Sequence, residues 1–242
     1  MINNKKVLAI VPARGGSKGI PLKNLREING KSLVAITADC IKNVMEIDRG
    51  IISTDYDNIA KEAEKFGLAA PFRRPEELSG DTIADWEVLR HSLKKIEEID
   101  ECRYDIIVML QPTSPLREPF HVSKTIKKLV DDELDSCWTV SKTDLKYHPV
   151  KQLNINKNFL EPWDTKGAEI VTRQELKSVY HKNGIAYVMT RECILDNNVI
   201  QFSGTPLGKK AGAYLIEDHH VSIDTEEDID LVKSILNKNS SV

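Results

Sequence analysis

The sequence predicts a three-layer α/β fold: a mostly parallel sheet with helices on both faces, plus one small excursion. Three observations carry this. Apolar runs without polar alternation, such as Val7–Val11 and Asp105–Leu110, read as strands buried on both faces. Amphipathic helical segments alternate with these runs, the order that gives parallel pairing through crossover helices. The rhythm breaks once, over 141–183, a stretch too long to be a simple connection in a compact core.

The elements follow in order. Val7–Val11 is the first strand. Ser32–Met45 is a helix, with Val34, Ile41 and Val44 near one face. Gly50–Ser53 is a short strand, followed by a helix over Asp57–Phe66 and another over Trp86–Ile99, whose inner stripe is Leu89, Leu93 and Ile96. Asp105–Leu110 is a second central strand, and helix 119–131 and strand 136–140 continue the alternation. Residues 141–183 are polar, carry Tyr147, Pro149, Pro162 and Trp163, and show no clear helix. The chain therefore divides into an α/β domain over 1–140 and 184–242 and an excursion over 141–183. Ile185–Met189 resumes the sheet, Ala213–Ile216 and Val221–Ile223 read as short strands, Glu226–Leu236 closes the fold, and Asn237–Val242 reads as a frayed tail.

Bulk properties bound the partners. The 242 residues suffice for one sizeable domain with an appendage. A formal net charge of -3 gives no global basic field, so no nucleic-acid partner is expected and any anion site must be built locally. Lys5-Lys6 before Val7–Val11 superficially resembles a signal peptide, but the apolar run is too short, and nothing approaches a membrane span. Cys40, Cys102, Cys137 and Cys193 lie far apart with no C-x-x-C pair, which fits reduced thiols in a cytoplasmic protein. His219-His220, with no cysteine near it, reads as a solvent-facing turn in preference to a metal site.

The strongest local signal runs from Pro12 to Asn24, directly after the first strand, where open parallel sheets bind ligands. Gly15, Gly16 and Gly19 let the backbone turn tightly and bring N–H groups near an anion, and Arg14, Lys18 and Lys23 add positive charge. A triphosphate needs that combination. The spacing matches neither G-x-x-x-x-G-K-[ST] nor G-x-G-x-x-G. The bland alternative is a basic loop that binds nothing.

Four more segments accompany Arg14-x-Gly16-Ser17-Lys18 and Lys23-Asn24: Arg74 to Thr82, Leu110-Gln111-Pro112-Thr113-Ser114-Pro115-Leu116-Arg117, Asn183-Gly184-Ile185-Ala186-Tyr187, and Ile223-Asp224-Thr225-Glu226. In this order they resemble the acylneuraminate cytidylyltransferases, also called CMP-sialic acid synthetases, including those that activate legionaminic acid. The resemblance implies a Rossmann-like sheet and transfer of CMP from CTP to the anomeric hydroxyl of an acidic nine-carbon sugar, with Mg²⁺ assisting. It implies that Arg14, Gly15, Gly16, Ser17, Lys18 and Asn24 hold the nucleotide, that Lys23 and Arg14 act in catalysis, and that Arg74, Asp81 and Thr82 approach the nucleotide. Gln111, Lys151 and Asn183 would meet the sugar, Asp224 would hold Mg²⁺, and the excursion would pair two copies into a homodimer.

Departures and alternatives stand beside this reading. The family's Asp-x-Asp becomes Ser222-Ile223-Asp224, so one carboxylate is missing from the pair that a strand would present on one side. His181-Lys182 stands where relatives often carry arginine. Thr225 with Asp228 fits a helix capping box without any metal, Asn183-Gly184 fits a plain tight turn, and Arg117 and Lys151 fit solvated surface charges. The rival functions are a cytidylyltransferase for another acidic sugar, such as a 3-deoxy-octulosonate, and a catalytically silent protein that binds CTP or a CMP-sugar.

Overall fold

Burial on both faces decides which apolar runs become central strands. In the computed structural model, which describes residues 1–169, 172–218 and 220–239, the first run forms β1 (Val7–Pro12), with Val7 through Val11 fully buried. A two-residue hairpin, β2 (Glu27–Ile28) and β3 (Lys31–Ser32), leads into α1 (Leu33–Lys42). Ser32 caps that helix, its hydroxyl accepting from the Ala35 N–H at 3.1 Å. Next come β4 (Arg49–Ser53), α2 (Asp57–Lys65) and α3 (Asp85–Ile99), the last burying Leu89, Leu93 and Ile96 as its spacing demands. β5 (Ile106–Met109) and α4 (Pro119–Asp131) follow. Pro119 sits at the first helical position, where its missing N–H goes unnoticed.

β6 (Ser136–Lys142) is followed by the hairpin β7 (Leu153–Asn156) and β8 (Phe159–Pro162), then by β9 (Tyr180–Thr190) and α5 (Arg191–Leu195). A last small hairpin, β10 (Gln201–Phe202) and β11 (Thr205–Pro206), precedes β12 (Ala211–Leu215) and α6 (Glu226–Asn239). The main sheet has six strands in the order β12-β6-β9-β5-β1-β4. β1 runs parallel to β4 and to β5, and β9 runs antiparallel to β5. Side chains alternate across the sheet. Leu8, Ile10, Ile51, Ile107, Met109, Tyr187 and Met189 pack with the inner stripe of α3, while Val7, Ala9 and Val11 of the opposite parity are buried just as fully.

The chain forms two compact units. The first comprises Met1–Thr139, Asn183–Tyr214 and Asp218–Val242; the second comprises Val140–Lys182 and Leu215–Glu217. The second unit carries the β7–β8 hairpin, closed by Lys157 and Asn158 at φ 47° and 74°, the two left-handed residues of a tight hairpin turn. Its large apolar residues Leu153, Ile155, Phe159, Leu160 and Trp163 are all exposed.

The structure departs from the sequence reading at several points. Residues 221–223 are not a strand. Ile223 donates its backbone N–H to the Thr113 carbonyl at 2.8 Å and is buried among Ile20, Ile28, Leu33, Ile229 and Val232, so it is an apolar plug whose backbone has no ladder partner among the described residues. The closing helix continues to Asn239, so Asn237 and Lys238 are helical; the last three positions, like His219, lie outside the described residues. His220 is partly buried, not solvent-facing. Asn183-Gly184 is not a chain reversal: both lie within β9, where Gly184 takes φ +76°. The cysteines are free thiols, three of them buried.

Candidate functional site

The carboxyl ends of β1 and β5 open into a cavity of about 550 Å³, built from the first unit. Sequence reasoning had singled out Arg14, Ser17, Lys18, Lys23, Asn24, Arg74, Asp81, Gln111 and Asp224, and all of them line it. So do Gly19 and Ser222.

The loop after β1 is fixed from several sides. Asn24 is buried and donates its amide to the Arg14 carbonyl at 3.0 Å, closing the loop on itself. The Gly15 N–H donates to Asp55 at 2.9 Å. Ile20 anchors the far end in the cluster around Ile223. Leu22 adopts the left-handed region at φ 49°, a strained conformation for a branched side chain, immediately before Lys23. The glycines act differently from the expected tight turns, for none of Gly15, Gly16 and Gly19 has a left-handed backbone. A Cβ on Gly15 would lie 2.9 Å from the Cβ of Tyr56, and one on Gly19 would lie 2.7 Å from the Asp224 carbonyl oxygen. These two are glycine because another part of the chain comes too close. Nothing lies within 4 Å of a Cβ on Gly16.

The cavity cations are held by named partners. The half-buried Lys23 ammonium donates to the Ile223 carbonyl and to Asp224 Oδ1, each at 2.9 Å. Arg14 Nη1 contacts Asp81 Oδ1 at 2.6 Å, and Lys18 Nζ contacts Asp81 Oδ2 at 2.5 Å. Arg74 is buried, and its guanidinium donates to the Ser53 hydroxyl at 3.2 Å and to the Ser53 carbonyl. Burial pulls Arg74 down to about 10, against the opposing charge of Asp55 and with that of Arg14, so it remains a cation at neutral pH.

At the β5 end, Arg117 is buried, contrary to a solvated reading. Its guanidinium fork donates to the carbonyls of Gln111, Gly184 and Ile185, and burial pulls it down to about 10. That fork ties the loop carrying Gln111 to β9. Gly184 allows the approach, since a Cβ there would meet Ser114 Oγ at 2.7 Å and Gln111 Oε1 at 2.9 Å. The Tyr187 hydroxyl accepts from the Gly184 N–H at 2.8 Å, and burial pushes it up to about 12.

Other expected site residues lie elsewhere. Gly15, Gly16 and the exposed Thr82 do not line the cavity. Asn183 is buried, its Oδ1 accepting from the Thr139 hydroxyl at 2.7 Å and the Ile185 N–H at 3.2 Å, so that oxygen braces the sheet instead of facing the cavity. Lys151 is an exposed residue of the second unit. The capping reading of the last motif holds: Asp228 Oδ2 accepts from the Asp224 and Thr225 N–H groups at 2.9 and 2.8 Å. Those backbone bonds are the main reason the Asp228 carboxyl sits below the usual range. Sequence reasoning missed Ile83, Asp85 and Val88, which bring the start of α3 to the cavity. Asp85 accepts from the Thr205 hydroxyl at 3.0 Å. The one available signal was its position at a helix N-terminus soon after the Arg74 segment.

A strand-end cavity bounded by a glycine-bearing loop and a group of cations has the form of a nucleotide site in an α/β enzyme. The family model described as "Cytidylyltransferase" matches residues 8–239, and the chain belongs to that family of nucleotidyltransferases. It is 29% identical over 237 residues to the post-translational flagellin modification protein B of Campylobacter coli, covering 96% of this chain and 95% of that one. It is 31% identical over 195 residues to the CMP-N,N'-diacetyllegionaminic acid synthase of Legionella pneumophila, covering 79% and 81% of the two chains. Among solved structures, CMP:2-keto-3-deoxy-manno-octonic acid synthetase complexed with CTP shares the fold at TM-score 0.72 and 16% identity, over 97% of this chain and all of that one.

Proposed function

We propose that this cytidylyltransferase moves CMP from CTP to the anomeric hydroxyl of a nonulosonic acid of the sialic or legionaminic type, releasing pyrophosphate. The observation that carries the reading is the convergence of Arg14, Lys18, Lys23 and Arg74 on one cavity at the strand ends that Gln111 also enters. Arg14, Lys18 and Lys23 suit a triphosphate, Arg74 approaches the nucleotide, and Gln111 offers an amide to a sugar. The hydroxyl oxygen bonds to the α-phosphorus and gives up its proton to solvent, the bond from that phosphorus to the bridging oxygen breaks, and its electron pair leaves with pyrophosphate. Lys23 is the catalytic cation, offsetting charge that builds on the α-phosphoryl oxygens. Ser17 and Asn24 complete the nucleotide side.

Asp224 and Ser222 present oxygen donors to the same cavity, and Asp224 is largely exposed, a donor set that suits Mg²⁺. Asp224 would hold the ion together with nucleotide oxygens and water. The bound ion supplies charge neutralisation at the phosphates.

The exposed apolar hairpin of the second unit is the surface we assign to a second copy of the chain, making a homodimer. Light scattering at micromolar protein should return the dimer mass, and a monomer there overturns this assignment. We place the enzyme in the cytoplasm, on its free thiols and on the absence, among the described residues, of a helix long and apolar enough to cross a membrane.

The deciding experiment is a pyrophosphate-release assay with CTP, Mg²⁺ and a panel of nonulosonic acids and 3-deoxy-octulosonate. Release with a nonulosonic acid is the expected result. Release only with the octulosonate moves the substrate class, and a CTP-induced rise in melting temperature with no release from any sugar marks a silent binder.

A further inference from the structure

The cations assigned above to the triphosphate already hold anions in the free protein. Asp81 uses both carboxylate oxygens, one on Arg14 and one on Lys18, at 2.6 and 2.5 Å. Two oxygens of one anion bridging an arginine and a lysine is the arrangement a phosphate would adopt there. Asp81 belongs to the loop between Leu78 and the start of α3, and it lines the same cavity. The pairs are open to water: the side chains of Lys18, Asp81 and Arg14 are 80%, 37% and 31% exposed. Pairs of that kind form readily and separate at small cost.

We propose that Asp81 is a resident stand-in for phosphate, which occupies Arg14 and Lys18 between turnovers, weakens polyphosphate binding and speeds the departure of pyrophosphate. The inference rests on the reading that this loop holds the triphosphate of CTP. A nucleoside triphosphate carries several negative charges and displaces one carboxylate. Once the α-phosphorus has gone to the sugar, the remaining pyrophosphate is a free dianion or trianion with no base or ribose to hold it. Asp81 then re-forms its two contacts and replaces it. Arg74 makes no such exchange, since its guanidinium is already committed to Ser53.

The test measures inorganic pyrophosphate binding to the full chain by calorimetry, and its inhibition against CTP, for wild type, Asp81→Asn, Asp81→Ser and Arg14→Ala. Both Asp81 variants should bind pyrophosphate about tenfold more tightly, the scale of two exposed ion pairs no longer competing. Their progress curves should stall earlier as product accumulates. Arg14→Ala should bind it more weakly. Unchanged or weaker pyrophosphate binding in both Asp81 variants, with Arg14→Ala still weakened, overturns the stand-in role and leaves the triphosphate reading intact. Pyrophosphate affinity indifferent to Arg14→Ala overturns the triphosphate reading and the inference with it. Asp81 variants that weaken CTP but not pyrophosphate make the residue a nucleoside contact and overturn the proposal.

Discussion

Gly19→Ala tests whether the loop after β1 is shaped by contact with the Asp224 segment. The new methyl carbon would start 2.7 Å from the Asp224 carbonyl oxygen, whereas ordinary contact begins near 3.4 Å, so about 0.7 Å must be found. Asp224 has little room to yield, because its neighbour Ile223 is buried and bonded to Thr113. The loop must move instead, and it carries Lys23, whose ammonium is 2.9 Å from both Ile223 and Asp224. Overpacking of this kind costs about 1–3 kcal/mol. In a chain of this size that lowers the melting temperature by roughly 2–12 °C. A displacement approaching 1 Å at a catalytic group costs up to about a hundredfold in rate. Calorimetric melting and kcat from pyrophosphate release should therefore both fall. Gly16→Ala, with no atom within 4 Å of its new carbon, should melt like wild type. Wild-type melting and wild-type kcat in Gly19→Ala would refute the contact argument.

The remaining predictions concern charge. Lys23→Ala should lower kcat by about a hundredfold, the usual scale for one lost electrostatic contact, with little change in melting; near-normal kcat removes the catalytic assignment. Asp224→Ala should raise the Mg²⁺ concentration for half-maximal rate or abolish activity, while Ser222→Asp should lower that concentration by adding negative charge at close range; titrations that do not move would withdraw the metal assignment. The Asp228 carboxyl is depressed in the folded protein relative to its unfolded value near 3.9, so its stabilisation is present above that pH and is lost as pH falls through the lower folded value. Asp228→Asn should thus melt below wild type at pH 7, with the gap narrowing as pH falls below about 4; a constant gap would mean that the charge is not what caps the helix.

The central sheet was legible because strands buried on both faces leave an unmistakable apolar run, and helix 119–131 was legible to the residue because Pro119 marks its start. Val221–Ile223 was not legible because a buried isoleucine between polar residues has the period of a strand whether or not a partner strand exists. What decided against one was the bond to Thr113 with no ladder beside it among the described residues, a tertiary fact. Likewise Asn183-Gly184 has turn chemistry, but Gly184 serves a different need: room for Gln111 and Ser114 beside a strand. The loop after β1 stands out in the sequence by its glycines and cations, yet the reason for Gly15 and Gly19 comes from Tyr56 and Asp224, which no local pattern indicates.

The charge state of the cavity was the least legible feature, and it resolves a tension in the composition. A chain of net charge -3 gathers Arg14, Lys18, Lys23 and Arg74 around one cavity, which would repel one another at close range if left alone. Asp81 takes two of these charges and Asp224 a third, so three of the four cations are matched before any ligand arrives. Both acids come from segments far from the loop in sequence, and each was read as facing the nucleotide or its metal. Their observed partners are the cations themselves. On the proposed function, binding a triphosphate is then an exchange of anions rather than the filling of a bare positive hole. The affinity would depend on how well phosphate outcompetes carboxylate, and the proposed metal role would give Asp224 two tasks: steadying Lys23, as its 2.9 Å contact does, and offering an oxygen to the ion that accompanies CTP. Lys23→Ala would release Asp224 from the first task. Its Mg²⁺ titration should therefore shift toward lower concentration even as kcat collapses, a pairing of effects that simple loss of a catalytic cation does not produce.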